Sequence, residues 1–507
     1  MVSLWSTLDL GRAASNVTSE FKGDWYKDPW GWPELRWLAA DGHEAVFEDC
    51  RSSGARRVAL LDVPKENWGT RPAVVLDIVD RLMYQSLIDS ISLPLIGGLP
   101  ADVYGWRLAP VAPTRARYQS NKIQWDSYRG RLRELASVNS VALKSDIVSF
   151  FASVTTDVLS ECIQDRVSPG VIADRLISFL EGSQRPTRSG LPQRSLASAI
   201  LANVVLGPLD DVLLGYRLDA FKGTFFESLG PGFTRWMDDI WLFLDDPAKA
   251  RQAQRDLQHA AHTIGLHLNS AKTDLLEGDR VAEEALLIEH SAIDEAIEDD
   301  GDFGKLEEMI DRILDDPDHI GRTTVKFVVS RLLKHKTNYK TDELLAVAHR
   351  MPHVADSLAR LFKARMTSGL LQDWFLEYCD SDWSSFPWAI AQYSRMFASG
   401  TIPRRATREF FMERLSDANT ELPLLAVAVQ RLARWDAPQC RSLASDALRR
   451  ADNPQPRRVL ALGALCARAT RRSVRLWLGA EPENRTTLKF LESCDFHAPP
   501  VRPTYAR

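Results

Sequence analysis

The sequence predicts an α+β region followed by an all-α region. Up to residue 285, short apolar runs of strand length alternate with periodic stretches of helix length. Beyond that point the periodic segments have helical spacing, and Pro, Gly or Asp separates many of them. An acidic stretch marks the junction, because residues 281–320 contain 15 Asp and Glu but only two Lys and Arg. These observations together predict a domain boundary near residue 290.

The individual elements follow from segment length and periodicity. Strands are predicted at residues 57–63 and 141–147, a β-hairpin at 233–244, and helices at 78–91, 195–214 and 247–264. Later helices are predicted at residues 306–314, 324–334, 342–350, 354–365, 406–415, 424–434, 440–449 and 457–466. Short paired helices over such a length suggest a HEAT-like array. We therefore expect an aromatic-rich N-terminal extension at 1–60, an α+β domain at 61–285 and an α-helical repeat domain at 286–507.

The composition is that of a multidomain globular protein. The chain has 507 residues, of which 45% are hydrophobic and 26% charged, and this excludes a largely disordered protein. No apolar run approaches the roughly 18 residues that cross a bilayer, and no secretory signal is recognisable. Six scattered cysteines without metal-site spacing indicate reduced thiols. We therefore expect a cytoplasmic protein with no membrane partner.

The charge is unevenly distributed, although the net charge is only −5. Residues 401–507 carry 19 Lys and Arg against 11 Asp and Glu, a balance of +8. This pattern is typical of a surface that binds a polyanion, and equally of a solvated, Arg-rich helix face. The predicted nucleic-acid contacts in this region are Arg471, Arg472 and Arg475.

Five tryptophans fall within the first forty residues. Base stacking is one use for such residues, and packing against the rest of the protein is the commoner one. We expect packing for this set, which comprises Trp5, Trp25, Trp30, Trp32 and Trp37.

Aspartates stand at the ends of two predicted strands. Asp146 follows an apolar run, and Asp238 and Asp239 lie between the two apolar halves of the predicted hairpin. Because Asp146 and Asp238 are far apart in the chain, the fold must bring their strands together. Carboxylate oxygens suit Mg²⁺, and two such ions can clamp the attacking and leaving oxygens of phosphoryl transfer. Each aspartate taken singly is also explained as a turn or helix-capping residue.

A third segment lies between these two. Residues 190–203, GLPQRSLASAILAN, combine a turn with a helix of small residues. With KSDIVSFF at 144–151 and GFTRWMDDIWLFL at 232–244, the three segments resemble motifs A, B and C of reverse transcriptases. Further segments resemble the same family, namely Arg71-Pro72 followed by DRL at 80–82, YGWR at 104–107 and GLHLNSAKT at 265–273. The resemblance covers residues 60–280.

The resemblance implies a fold and a metal site. The fold class is an α+β right-hand polymerase palm and fingers domain, at residues 61–285, followed by an all-α HEAT-like domain in place of a standard thumb. Asp146 and Asp238 would ligate two Mg²⁺ ions, with Mn²⁺ as an alternative, and Asp239 would be the accessory carboxylate. Ile147 completes the predicted metal-binding set.

The resemblance also implies a nucleotide site. Phe151 would lie under the sugar and exclude a 2′-OH, and Gln193 would support the incoming nucleotide. Arg71 and Lys65 would grip the triphosphate, since the guanidinium fork of an arginine is bidentate. Lys272 would neutralise or protonate the pyrophosphate. Purely structural roles are the alternatives. Phe151 would then pack in the core, and Lys272 would interact with the C-terminus of a helix.

One position departs from the family pattern. Arg194 stands where the family usually has Gly after the Pro-Gln pair. Glycine lets the backbone come close to the template nucleotide, so a guanidinium there argues against ordinary templated synthesis. Arg194 is predicted to hold an RNA or the product strand instead.

The palm motifs followed by a helical domain resemble bacterial defence-associated reverse transcriptases of the abortive-infection type. That resemblance implies a role against phage, dNTP substrates, and DNA synthesis that is template-independent or guided by a non-coding RNA. It also implies assembly into trimers or hexamers, and some members are primed by their own tyrosine. Two alternatives stay open, a conventional RNA-templated enzyme of retron or intron-derived type and a non-catalytic nucleic-acid-binding scaffold.

Overall fold

The computed structural model describes residues 4–40, 43, 58–109, 117–183, 190–221, 230–299, 301–398 and 400–501. These residues divide into two compact units. The first unit contains residues 1–20 and 82–300, and the second contains residues 21–81 and 301–507. Residues 21–81 therefore belong with the C-terminal helices, a division that differs from the three predicted domains, which stay a prediction.

The elements up to residue 300 alternate between helices and strands. The strands are β1 (Ala59–Pro64), β2 (Thr70–Val75), β3 (Val103–Tyr104), β4 (Val141–Ser145), β5 (Gly232–Trp236), β6 (Asp239–Leu244) and β7 (Asp274–Glu277). The helices are α1 (Leu10–Glu20), α2 (Glu34–Leu38), α3 (Ile78–Ile96), α4 (Asn121–Val138), α5 (Phe150–Ser153), α6 (Thr156–Arg166), α7 (Val171–Ser183), α8 (Leu196–Val205), α9 (Gly207–Phe221), α10 (Pro247–Thr263), α11 (Asp279–Leu286) and α12 (Ile288–Asp299).

The described residues after position 300 form helices and no strand. These helices are α13 (Gly304–Asp315), α14 (Arg322–His335), α15 (Thr341–Val347), α16 (Ala355–Arg365), α17 (Ser368–Asp380), α18 (Pro387–Tyr393), α19 (Arg405–Ser416), α20 (Leu422–Trp435), α21 (Ala437–Arg450), α22 (Pro454–Cys466), α23 (Arg471–Gly479) and α24 (Arg485–Ser493). The prediction of a largely helical C-terminal region is therefore confirmed, whereas the HEAT-like repeat stays a prediction.

A five-stranded sheet is the centre of the first unit. Its strand order is β3-β5-β6-β4-β7, with a parallel pair between β3 and β5 and antiparallel pairs elsewhere. Alternate side chains point to opposite faces. One face packs Trp241 and Phe243 of β6 against Tyr128 and Leu132 of α4, together with residues of α11. Helix α10 packs against β4, β6 and β7. The sheet thus brings the end of β4 and the β5–β6 turn to the same edge.

The second unit contains a two-stranded hairpin and a set of packed helices. Strands β1 and β2 pair antiparallel, and the backbone N–H of Asn67 in their turn donates to the carbonyl oxygen of Asp318 at 2.7 Å. Among the later helices, neighbours along the chain pack on each other, including α19 on α20, α21 on α22 and α22 on α23. Short connections between such neighbours favour antiparallel pairs of helices.

A buried ion cluster fixes the N-terminal segment within the second unit. Arg458 of α22 donates to Asp28 at 2.7 Å and to both carboxylate oxygens of Glu34, at 2.6 and 3.1 Å. All three side chains are buried, and the Arg458 guanidinium lies 4.1 Å from the Trp32 ring centroid. A buried charge of this kind is stable only when paired. Packing, as predicted, accounts for the burial of four of the five early tryptophans, with Trp37 half-buried.

The predicted elements are recovered with shifts of a few residues at their ends. The eight later helices are all present, but α17, α18, α23 and α24 were not predicted. The predicted helix at 195–214 is two helices, because Gly207-Pro208 follows the C-cap of α8 at Leu206. No single described helix is long and apolar enough to span a membrane, and the bent pair Leu196–Val205 with Gly207–Arg217 passes only by length and composition.

Candidate active site

The candidate site is built at the edge of the sheet in the first unit. Asp146 directly follows β4, and Asp238 is the second of two residues in the β5–β6 turn. Asp239 is the first residue of β6, opposite Trp236. Because β4 and β6 are adjacent antiparallel strands, the end of β4 meets the start of β6. The structure therefore brings together the three aspartates that the sequence motifs singled out.

A buried arginine supports the β5–β6 turn. Arg235 is fully buried and makes a bidentate contact with Asp210, at 2.7 Å to each carboxylate oxygen. The same guanidinium donates to Asn203 Oδ1 at 3.0 Å and to the carbonyl oxygen of Met237 at 2.7 Å. Met237 has φ of 57°, a conformation that suits the first residue of a two-residue hairpin turn. Arg235 thus fixes the residue that immediately precedes Asp238.

The acidic groups of the site shift one another's pKa values. Burial, and then the negative charge of Asp146 and a hydrogen bond with it, raise the pKa of Asp238 to about 7. Burial also raises the pKa of Asp239, although a hydrogen bond from Tyr128 lowers it in part. Like charges held close together at a buried position are costly unless a cation or a proton neutralises them. The site therefore favours binding of positive charge.

Tyr128 supports the accessory carboxylate. Its hydroxyl donates to Asp239 Oδ2 at 3.1 Å. Its ring projects from α4 into the core beside β6 and is buried there. Burial and the charge of Asp239 raise the pKa of the Tyr128 hydroxyl well above its usual value. Tyr128 is therefore a neutral hydrogen-bond donor that orients Asp239.

The segment at 265–273 lies against the end of β4. The Asn269 backbone N–H donates to the Asp146 carbonyl oxygen at 2.7 Å, and Ile147 forms an antiparallel bridge with Leu268. Lys272 Nζ lies 2.9 Å from Asp146 Oδ2, so its ammonium group faces the carboxylate cluster directly. Lys272 is thus brought to the aspartates, and its side chain stays largely exposed.

The turn before α8 packs on the segment that follows Asp146. The Leu191 backbone N–H donates to the Phe151 carbonyl oxygen at 2.7 Å. Gly190 has φ of 115°, and a Cβ there would lie 2.3 Å from the same oxygen, so only glycine fits. Phe151 is half-buried and lies edge-on to Phe150, with ring centroids 5.3 Å apart. Gln193 is half-buried in the same turn.

Arg194 keeps the backbone conformation of the glycine that the family pattern has there. Its φ is 63°, in the left-handed region that favours glycine, and its side chain is exposed. The following helix α8 begins with the Leu196 backbone N–H donating to Glu20 Oε1 at 2.6 Å. Arg194 therefore combines a backbone conformation that is unfavourable for a residue with a Cβ and an exposed side chain.

The predicted triphosphate contacts lie in the second unit, on the β1–β2 hairpin. Lys65 begins the turn, where its backbone N–H donates to the Gly69 carbonyl oxygen at 2.7 Å. Arg71 lies in β2 with its guanidinium 5.4 Å from the Trp25 ring centroid. Arg81 forms a buried ion pair with Asp24 at 2.6 Å, in agreement with a structural role.

The predicted nucleic-acid contacts at the basic end are exposed on or beside α23. Arg471 pairs with Asp495, and Arg475 pairs with Glu492 at 2.9 Å. These carboxylates neutralise part of the charge that the sequence assigned to this surface. Exposed pairs of this type contribute little to stability and are screened by salt.

The aspartate cluster fits a divalent cation by its chemistry. Carboxylate oxygens are the ligands that Mg²⁺ prefers, and two of the three groups have pKa values raised by burial. Over the described ranges, no set of three or more Asp, Glu, His or Cys side chains has the arrangement of a preformed metal cage. Mg²⁺ usually binds through one or two carboxylates together with substrate phosphates, so a cage is not required.

Several residues of the site were not assigned from the sequence. Arg235, Asn203, Asp210, Tyr128 and Glu20 all support the motif segments. The importance of Arg235 could have been recognised in the sequence, because a charged residue within an apolar strand must find a buried partner. The roles of Tyr128 and Glu20 could not, since their partners lie far away in the chain.

The chain was compared with family models, with curated proteins and with solved structures. The family model for the reverse transcriptase (RNA-dependent DNA polymerase) matches residues 63–327, which is just over half of the 507-residue chain. Solved structures also match, among them one described as an RNA-dependent RNA polymerase with vp4 and dsRNA. That match has 12% sequence identity and a TM-score of 0.29, and it covers 53% of this chain and 26% of that one. No curated protein matches the sequence.

The matched span contains every motif segment described above, from Lys65 in the β1–β2 turn through the aspartate turn to Lys272. It extends beyond the sheet into the first helices of the second unit. The chain belongs to the reverse transcriptase family, whose members are RNA-directed DNA polymerases.

Proposed function

We propose that this protein is a divalent-metal-dependent DNA polymerase that incorporates dNTPs at the aspartate cluster. The observation that carries the proposal is the close approach of two strand-end carboxylates, Asp146 and Asp238. Their repulsion costs free energy, and this is why the pKa of Asp238 is raised. A fold gains nothing from such a pair unless it binds a cation. Family membership supplies the reaction class.

The residues have separate roles in this proposal. Asp146 and Asp238 hold Mg²⁺, which would activate the attacking 3′-hydroxyl and stabilise charge on the transferred phosphoryl group. Asp239 is oriented by Tyr128, and Arg235 positions the turn. Lys272 lies beside Asp146, where its side chain would neutralise the departing pyrophosphate. Phe151, Gln193, Arg71 and Lys65 are the proposed contacts to the sugar, base and triphosphate.

The decisive experiment is nucleotide incorporation by Asp238→Asn. The change keeps the shape of the side chain but removes a metal-ligating charge, which is worth several kcal/mol of transition-state stabilisation. We expect incorporation of labelled dNTPs in Mg²⁺ to fall at least about 1000-fold while the protein stays folded. Asp245→Asn is the matched control, since Asp245 is exposed just beyond the same hairpin. Full activity of the Asp238 variant would refute the site, whereas no incorporation by the wild type either would favour the scaffold alternative.

We further propose that the enzyme acts in antiphage defence as an oligomer and synthesises DNA without an ordinary template. Arg194 supports the last part, because it adds an exposed guanidinium where a glycine would leave room for a template strand. Incubation with Mg²⁺ and dNTPs, with and without added RNA, tests this after nuclease treatment of the purified protein. Product formed only with added RNA would establish the conventional alternative.

A tyrosine primer is a further part of the proposal. Four of the ten tyrosines are candidates, namely Tyr26, Tyr128, Tyr339 and Tyr505. Tyr26 is buried, and the Tyr128 hydroxyl donates to Asp239. Tyr339 is half-buried, with its hydroxyl 3.4 Å from Asp311, and Tyr505 lies outside the described residues. Mass spectrometry of nucleotide-modified peptides would identify the attachment residue.

A further inference from the structure

An exposed tryptophan lies beside the aspartate turn of the first unit. Trp125 of α4 is 44% exposed. Its ring is edge-on to the ring of Trp236, the last residue of β5, with the two centroids 5.0 Å apart. The indole is therefore held by a neighbouring ring while almost half of its side chain is open to solvent. A ring in this situation can stack on a planar ligand.

The same ring packs on both aromatic residues that lie next to Asp239. The ring centroids of Trp125 and Tyr128 are 5.4 Å apart, and those of Tyr128 and Trp236 are 5.7 Å apart. The Tyr128 hydroxyl donates to the Asp239 carboxylate, and Trp236 is the cross-strand partner of Asp239. Opposite residues on antiparallel strands project from the same face of the sheet. The exposed tryptophan is thus continuous with the candidate active site.

The face of α4 around Trp125 is basic. Lys122 lies three residues before Trp125, Arg129 lies four residues after it, and Arg133 eight. These spacings place the side chains on one face of the helix. Lys122 and Arg133 are exposed, whereas Arg129 is half-buried and donates to a carbonyl oxygen at the end of α11. Asp126 lies on the same face, so three cations and one carboxylate leave a balance of +2.

We propose that this face of α4 binds single-stranded nucleic acid, with one base stacked on the ring of Trp125. Stacking accepts any sequence, because every base has a π face. The positive charge of Lys122 and Arg133 suits the phosphates of the same strand. The strand is the substrate or product of the proposed polymerase, so the inference rests on that proposed function and adds a binding surface to it.

A second copy of the chain fits this face less well than a nucleic-acid strand does. An interface with two-fold symmetry would bring the same basic face against itself, and like charges repel. A strand of nucleic acid instead brings negative charge together with planar bases, and the face offers a partner for each.

The second unit contains a comparable tryptophan in acidic surroundings. Trp383 is 40% exposed and packs on the rings of Trp68 and His349, with centroids 5.4 and 4.9 Å away. Exposed Asp380 and Asp382 precede it in the chain. Their negative charge disfavours a polyanion. Trp383 is therefore the matched control for Trp125.

Binding of a fluorescein-labelled DNA single strand to the full-length protein tests the surface. Fluorescence anisotropy measures the affinity in EDTA and without dNTPs. Trp125→Leu keeps an apolar side chain against Tyr128 and Trp236 but removes the stacking ring, so it should weaken binding about 10-fold. Trp383→Leu should bind like the wild type. The wild type should bind an abasic strand more weakly than an ordinary one, and Trp125→Leu should lose most of this preference.

A second variant tests the charge without touching the aromatic cluster. Lys122→Met combined with Arg133→Met should reduce the slope of log affinity against log salt concentration by about 0.7 for each residue, because each bound cation releases a counterion from the strand. Both residues are exposed, so this variant should fold even if the Trp125 variant does not. Tighter binding of either DNA or RNA of the same sequence would identify which kind of strand the face holds.

The assay separates this inference from the proposed function, because it needs neither metal nor nucleotide. Asp238→Asn should bind the strand at least as tightly as the wild type does. Full incorporation by Asp238→Asn would refute the aspartate site but not the binding of a strand. Equal affinities of Trp125→Leu and the wild type, or an equal loss in Trp383→Leu, would overturn the proposal. A changed subunit number of Trp125→Leu in sedimentation, with strand binding intact, would also overturn it and identify an interface between copies.

Discussion

Both units of the molecule contain a cluster of carboxylates, buried in the second unit and half-buried in the first, and the two clusters differ in how their charge is neutralised. In the second unit, Asp28 and Glu34 share the guanidinium of Arg458. In the first unit, Asp146, Asp238 and Asp239 lie close together, and Lys272 and Lys144 are nearby cations. The first arrangement uses charge to hold a chain segment in place. The second keeps negative charge under-neutralised at a position where a metal ion and a nucleotide can supply the missing charge.

The comparison separates structural ion pairs from functional ones. A buried carboxylate matched by a rigid, bidentate arginine is satisfied within the chain and has no use for a ligand. A buried carboxylate whose nearest partner is another carboxylate has a raised pKa and is a candidate for ligand binding.

Removing Arg458 from the ion cluster of the second unit should have the largest effect on stability. Arg458→Met leaves Asp28 and Glu34 buried without a counter-charge, which should lower the free energy of unfolding by about 3–5 kcal/mol. Denaturant unfolding monitored by tryptophan fluorescence would measure the loss. Adding Asp28→Asn and Glu34→Gln to Arg458→Met should restore much of it, and a triple variant as unstable as the single one would contradict the pairing argument.

Removing a charge from the aspartate cluster of the first unit should stabilise the protein rather than destabilise it. Because the folded-state pKa of Asp238 is raised, wild-type stability carries a cost that is absent near pH 4, grows as pH rises, and is complete above about pH 7. Asp238→Asn should therefore be more stable than wild type by about 1–3 kcal/mol at pH 8 and by little at pH 4–5.

Unfolding measured at both pH values checks this sign. Mg²⁺ should stabilise the wild type at pH 8 and leave the Asp238 variant unchanged, since the ion supplies the same neutralisation as the substitution. Asp245→Asn, an exposed site, should show no such pH dependence. A gain that is equal at both pH values would mean that charge is not the cause.

The smallest expected effect concerns backbone strain at the site. Arg194→Gly should raise the free energy of unfolding by about 1 kcal/mol, because glycine adopts φ of 63° without a Cβ clash. Lys336→Gly is the matched control in the second unit, at a helix C-cap with φ of 58°. Both should gain stability, but only the Arg194 variant should change DNA synthesis. Equal activity in both variants would remove Arg194 from the site.

The motif residues could be found from the sequence because they are local patterns. The strand that ends at Asp146, the hairpin around Asp238 and Asp239, and the turn with Gly190 each occupy a short continuous segment. The supporting residues could not be found in the same way. Arg235 needs Asp210 and Asn203, and Tyr128 needs Asp239. These partners are 25 to 111 residues apart in the chain, and only folding brings them together.

The sequence by itself determined the element types, the order of the motifs and the identity of the three aspartates, because hydrophobic period and turn chemistry are local properties. The tertiary structure alone decided that residues 21–81 pack with the C-terminal helices. It also decided which carboxylates pair with a buried arginine, as Asp28 and Glu34 do with Arg458. Pairing of charges depends on distances across the fold, and a linear pattern of residues does not contain those distances.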